Sequence, residues 1–262
     1  MDIQAELEKI ARIYEEDKAV EDSFNALIYG DLGTYKTSFI TTGRRPILIH
    51  SFDRGGTKIP EVRQGIEEGW CFVETFETDD WRAPKQYDRW DRRFKELTRG
   101  DFFNGIGTFA IDSISMWLRT MMNKRVHSKR DKRDESIPAI QDYLVVANEL
   151  INNLIIMNSL PCDTIVIGHI DRHEDKITGA VQTSIDVFRS LKNFVPKLFD
   201  EVYVTMVHKT ANATPEVKLL TANDGRYKAK TRIGGHGIFD HEEVMNIKHL
   251  LKKAGRSTED KS

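Results

Sequence analysis

The strongest constraint on the fold is a series of short runs whose apolar residues are consecutive instead of alternating: ALIY (26–29), PILIHSF (46–52), WCFVETF (70–76), GTFAID (107–112), DTIVIGH (163–169) and DEVYVTMV (200–207). A strand wetted on one face alternates apolar with polar residues, so consecutive apolar positions predict strands covered on both faces. Between the runs, residues 36–42, 79–98, 113–125 and 139–159 read as helices. Strands alternating with helices predict an α/β sandwich built on a mostly parallel sheet. Residues 3–20 place Ile3, Leu7, Ile10, Ala11 and Tyr14 on one face of an amphipathic helix. After the last run, KLLTAND and GRYKAKTR, joined across Asn223-Asp224-Gly225, predict a hairpin, and DHEEVMNIKHLLKKAG a closing helix stopped at Gly255. A chain of 262 residues can bury one substantial core. The expected organisation is an N-terminal helix over 1–22, a core over 23–240 and a C-terminal helix and tail over 241–262.

The stretch IYGDLGTYKTSF, residues 28–39, lies where a strand hands over to a helix. A phosphate-binding loop has Gly, four free positions, then Gly-Lys-Ser/Thr, so that bare N–H groups close around phosphate oxygens at a helix N-terminus. Gly30, Gly33, Lys36 and Thr37 satisfy the pattern, and Tyr35 replaces the last glycine. The residues expected around a nucleotide are Gly30, Asp31, Leu32, Gly33, Thr34, Tyr35, Lys36, Thr37 and Ser38. Such a loop needs a carboxylate at the end of a neighbouring buried strand to hold Mg²⁺, and Asp112 in TFAIDS supplies it, although it also suits a helix cap. Asp53, which follows PILIHSF and precedes Arg54-Gly55-Gly56, is a candidate to orient attacking water and is equally suited to a turn.

Taken in order, the modified loop, AIDSIS, IVIGH, FDEVYV and YKAKTR resemble the RecA-core ATPases of bacteriophages, in particular their compact RecA-like single-strand annealing proteins, over residues 23–240. The resemblance implies a RecA-like P-loop NTPase fold and ATP with Mg²⁺ as cofactors. It implies that Lys36 serves the phosphates, Thr37 and Asp112 the metal, and Asp53 the catalysis. In that family the last position is usually glutamate, and aspartate is one methylene shorter. His169, ending the IVIGH strand, stands where the family places a residue that senses the γ-phosphate. KTRIGG (230–235) resembles the Lys-x-Arg element of the DnaB helicases, which makes Arg232, with Lys230 beside it, the candidate to reach a neighbouring subunit's γ-phosphate. A solvated hairpin of mixed charge would look the same.

The formal net charge of −2 excludes a globally basic nucleic-acid binder and leaves local patches open. NKRVHSKRDKRDE gathers Lys124, Arg125, Lys129, Arg130, Lys132 and Arg133, diluted by Asp131, Asp134 and Glu135, where RecA-like proteins carry their first DNA-binding loop. A second candidate is the aperiodic stretch 170–190, with Arg172, Lys176 and Arg189, expected as a loop that orders on ligand. His169 and His173 have metal-ligand spacing only on a helix, so that expected loop argues against a metal there. Cys71 and Cys162 sit singly in apolar segments and are expected as buried thiols. No apolar run approaches the roughly 20 residues that span a bilayer, and the acidic start is unlike a signal peptide, so a cytoplasmic protein without a membrane partner is expected. The leading reading is an ATPase that assembles with itself on single-stranded DNA, with a single-strand-binding protein as a further partner, and promotes annealing or pairing in phage recombination. A nucleotide-gated loader with little turnover and a nucleotide kinase are the alternatives.

Overall fold

The structure, a computed structural model, describes residues 3–9, 12, 22–77, 80–128, 137–174, 181–209 and 215–261. An exposed helix α1 covers residues 3–9. The core then runs β1 (Asn25–Gly30), α2 (Lys36–Ile40), β2 (Ile47–Ser51), α3 (Pro60–Glu67), β3 (Cys71–Thr75), α4 (Gln86–Thr98), β4 (Thr108–Asp112), α5 (Ile114–His127), α6 (Ile140–Asn158), β5 (Asp163–Glu174), β6 (Val181–Ile185), β7 (Glu201–His208), β8 (Glu216–Leu220), β9 (Glu242–Val244) and α7 (Ile247–Lys253).

The strands order as β3-β2-β4-β5-β1-β7-β8-β9, with β6 pairing β5 off this path. The pairs from β3 through β7 are parallel, and the β7–β8 and β8–β9 pairs antiparallel. This mostly parallel sheet, flanked by helices and carrying the loop between β1 and α2, has the α/β layering expected from the order of the runs.

Burial on both faces explains the unbroken apolar runs. Along β1, Leu27 and Tyr29 join one buried cluster, with Trp90, Phe94, Trp117, Leu150 and Leu154 from α4, α5 and α6. Ala26 and Ile28 join the other, with Phe39 and Ile40 of α2, Val62 of α3, and Ile247, Leu250 and Leu251 of α7. The first face is aromatic: Trp90 stacks on Phe94 at 5.0 Å, meets Trp117 edge-on at 4.7 Å and donates its indole N–H to Nδ1 of His50 at 3.0 Å. Burial lowers the His50 pKa to about 3, so this imidazole is neutral at physiological pH. Both cysteines are buried, and burial raises their thiols to about 11 for Cys71 and about 12 for Cys162.

Four expectations are corrected. KLLTAND and GRYKAKTR do not pair with each other: β8 lies between β7 and β9, and Lys230 forms a single bridge to Val202 of β7. Asn223 and Asp224 do make a turn, their carbonyl and carboxylate oxygens accepting the N–H groups of Gly225, Arg226 and Tyr227. The closing helix is shorter than 240–255, because Glu242–Val244 is drawn into the sheet as β9 and Asn246 caps α7 by accepting from His249 N. The helix expected over 79–98 begins at Gln86, after Pro84. The stretch after His169 is no loop at its start: β5 continues to Glu174 and returns as β6 in an antiparallel arm, pairing Ile170 with Ile185 and Arg172 with Thr183. Helix α3, with Pro60 at its first turn, has no counterpart among the expected elements. Among the described residues no helix is long and apolar enough to cross a membrane.

Candidate functional site

Strands β1, β2 and β4 end beside the point where β5 leaves the sheet to form the arm, and the candidate residues sit at or just after these positions. Gly30 of β1 is in register with His169 of β5, and Asp112 of β4 with Ser51 of β2, two residues before Asp53. They surround a cavity of about 710 Å³ lined by residues 32–38, Asp53 to Gly56, Glu61, Asp112 and His169.

The loop is shaped by two left-handed residues, Gly33 at φ 71° and Tyr35 at φ 56°, ψ 24°. Glycine enters that region freely and tyrosine only with strain, which explains why glycine usually fills the position of Tyr35. The phenol ring is half exposed at the cavity edge. Gly30 is fixed by contact instead: a β-carbon there would fall 1.7 Å from Oγ1 of Thr205 on β7. Thr205 donates to Thr34 Oγ1 at 2.7 Å, and Thr34 in turn donates to the Asp31 carbonyl at 2.8 Å. Lys36 is buried and folds back over the loop, donating to the carbonyls of Gly30 at 3.1 Å and Asp31 at 2.5 Å. Burial lowers its pKa, and the carboxylates of Asp112, Asp31 and Asp53 counter that.

Thr37 donates from Oγ1 to Asp112 Oδ2 at 2.6 Å. Asp112 is 4 % exposed, and burial raises its carboxyl to about 6 against the opposing bond from Thr37. The peptide linking it to Ser113 is cis. A buried carboxylate beside a threonine hydroxyl at the phosphate-loop helix suits a hard cation, which would relieve the desolvated charge. Asp53 Oδ2 lies 3.0 Å from Nε2 of His169, whose Nδ1 is buried with no partner among the described residues. The Phe52 and Asp53 N–H groups donate to the Asp112 carbonyl at 2.5 and 3.1 Å, tying β2 to β4 at this rim.

Several contributors escaped the sequence reading. Glu61 on α3 accepts from Ser38 at 3.3 Å, Glu77 accepts from Ser51 at 3.3 Å, and Thr205 buttresses the loop. None has a local signal, because each arrives from another element. Gly55-Gly56, after Asp53, was the one available cue to a loop closing over the cavity.

The remaining candidates lie elsewhere. Arg172, on the arm, pairs with Asp31 of the phosphate loop. Lys124 pairs with Asp88 at 2.5 Å and stands over the Tyr87 ring, and Arg125 pairs with the buried Asp142 of α6 at 3.0 Å. Lys129, Arg130, Lys132, Arg133 and Lys176 lie outside the described residues. Arg232 pairs with Asp200, and its backbone N–H donates to Glu201 at 2.8 Å, at the start of β7. Ala26 is in register with Glu201, so Arg232 sits at the amino-terminal end of the parallel strands, opposite the loop, about 13 Å along β1 from Gly30. Lys230 is beside it, its pKa lowered by burial and by the Arg232 charge.

A search of curated proteins finds no match. Among solved structures, the chain is similar to the flagellar accessory protein FlaH from Methanocaldococcus jannaschii, at 10 % identity and a TM-score of 0.42 over 87 % of this chain and 88 % of that one. It is similar to the RadB recombinase at 11 % identity and a TM-score of 0.39, over 75 % of this chain and 86 % of that one. A family model described as an AAA domain matches residues 23–233, most of the chain, and the protein therefore belongs to the AAA domain family.

Proposed function

We propose that the protein hydrolyses ATP between subunits of a ring or filament assembled on single-stranded DNA, and so promotes strand annealing or pairing of the kind used in bacteriophage recombination. The observation that carries this reading is the convergence of Lys36, the Thr37–Asp112 pair and the Asp53–His169 pair on one cavity at the root of the β5–β6 arm. The N–H groups of residues 33–37 and the Lys36 ammonium receive the triphosphate, Lys36 exchanging its carbonyl partners for phosphate oxygens. Thr37 and Asp112 would hold Mg²⁺, which would supply positive charge against the phosphates. Asp53 orients the attacking water and takes its proton as the bond from the γ-phosphorus to the bridging oxygen breaks, releasing ADP and phosphate. His169 holds Asp53 and begins the arm, so a change at the γ-phosphate is felt where the arm leaves the sheet. Arg232, remote from its own pocket, serves the neighbouring subunit's γ-phosphate.

Phosphate release by the wild type and Lys36→Ala, each with and without single-stranded DNA at low salt, tests the reading. Turnover stimulated by single strands and lost in Lys36→Ala is expected. ATP binding and turnover indifferent to single strands would end the recombination assignment. A second reading, a nucleotide-gated loader, is favoured by the strained Tyr35 and by the short Asp53 side chain held by His169. It predicts DNA-dependent ATP binding with negligible phosphate release.

A further inference from the structure

A second cavity, of about 720 Å³, opens between β6, the segment after it and the Asn223–Gly225 turn. Among the described residues its lining holds four cations, Arg189, Lys192, Arg226 and Lys228, and no carboxylate. Two nearby acids are committed: Asp171 pairs with Lys192 at the margin, and Asp224 accepts the backbone N–H groups of Arg226 and Tyr227. Lys228 reaches the Asn193 side chain. Thr183 is 2 % exposed, lines this cavity, and its hydroxyl has no partner among the described residues. A buried donor without a partner, set among cations, fits an anionic oxygen.

Resting on the single-strand reading above, we propose that this cavity binds consecutive phosphates of a single-stranded polynucleotide. The volume is far more than one phosphate fills, and the four cations are spread around it. Among the described residues Val187 is the only hydrophobic side chain in the lining, which offers no aromatic face on which a base would stack. That lining suits backbone contact without sequence reading rather than a free nucleotide. The site is also joined to the phosphate loop. Neighbouring residues of β5 point to opposite faces of the arm, Arg172 to Asp31 of the loop and Asp171 to Lys192 of the cavity. An anion that draws Lys192 away frees Asp171 on the strand that holds Arg172.

The test is binding of a fluorescent oligothymidylate by the full chain across a salt series, comparing wild type with Arg226→Glu/Lys228→Glu and with the milder Arg189→Ala/Arg226→Ala. A fluorescent ATP analogue serves as the control for folding and for the phosphate loop. The charge-reversed variant is expected to lose at least tenfold in affinity at low salt. Its log affinity against log salt should flatten by about 1.4, the share of two phosphate contacts on a single strand, while analogue binding is unchanged. Wild-type affinity and slope in both variants would overturn the proposal and leave the proposed function standing. A wild type that binds no oligothymidylate would overturn both. Polyglutamate binding lost in the variants while oligothymidylate binding persists would assign the cavity to an acidic protein and equally overturn it.

Discussion

Gly30 and Asp112 show how far single residues in the loop are constrained. Gly30 has no room for a side chain because Thr205 Oγ1 occupies the place its β-carbon would take. Gly30→Ala is expected to weaken ATP binding at least tenfold. Adding Thr205→Ala should recover part of the loss, since the next contact, with the Thr205 β-carbon, is 3.0 Å. Binding no better in the double variant would show that the backbone conformation, and not the clash, demands glycine. Asp112, raised by burial from 3.8 to about 6, holds its proton more tightly folded than unfolded. Between these values the native state binds more protons, so this residue's effect on stability becomes increasingly unfavourable as pH rises through the window. Asp112→Asn is therefore expected to raise the stability of the nucleotide-free protein at pH 7.5, by up to about 3 kcal/mol, and to abolish Mg²⁺-dependent turnover. Thermal melts at pH 4 and 7.5 check it: the gain should shrink at the lower pH. His50 titrates in the opposite sense in both variant and wild type, its stability contribution lost as pH falls from 6.5 towards 3. Lys36, Thr37 and Asp112 were legible in the sequence because their spacing to glycine or to a strand end carries the chemistry. Thr205 and Glu61 were not, because they reach the loop through space.

Among the elements, those that bury an apolar face were readable and those held by one edge were not. Five of the six runs became strands buried along most of their length, whereas β3, at the edge of the sheet, buries Cys71 and leaves Phe72 half exposed. Strand β6, with sequence VQTSI, pairs with the outer half of β5, and the eight-residue α3 buries little beyond Val62 and Gly65, so neither contains the apolar run from which the other elements were read. The basic run after α5 illustrates how tertiary contacts change a residue's meaning. Arg125 neutralises Asp142, which is buried and also accepts the Ala139 N–H at 2.9 Å, whereas Lys124 and Asp88 are both substantially exposed. Arg125→Ala is expected to cost about 2 kcal/mol by leaving a buried carboxylate without its ion-pair partner, and Lys124→Ala under about 1 kcal/mol. Urea denaturation of both variants measures this. Equal midpoints would show that Asp142 does not depend on Arg125.

For the whole molecule, the position of Arg232 is the consequential fact. It lies at the opposite end of the strands from Lys36, held by Asp200 and Glu201. Under the proposed function, Arg232→Ala should lower turnover about 10³-fold while sparing ATP binding. Mixing it with Lys36→Ala should restore turnover, because mixed assemblies pair an intact pocket with an intact arginine. Activity of the mixture no greater than the sum of its parts would assign Arg232 a role within its own subunit. By itself the sequence determined the α/β class, the parallel strands and the loop's motif residues, since these follow from local periodicity and spacing. Tertiary structure alone decided that three strand ends and the departure point of the arm would bring Gly30, His169, Asp112 and Asp53 together, that β8 would pair outward with β9, and that Arg232 would face away. Those outcomes depend on strand order and register, which bring together residues from some twenty to well over a hundred positions apart and leave no trace in any short window of the chain.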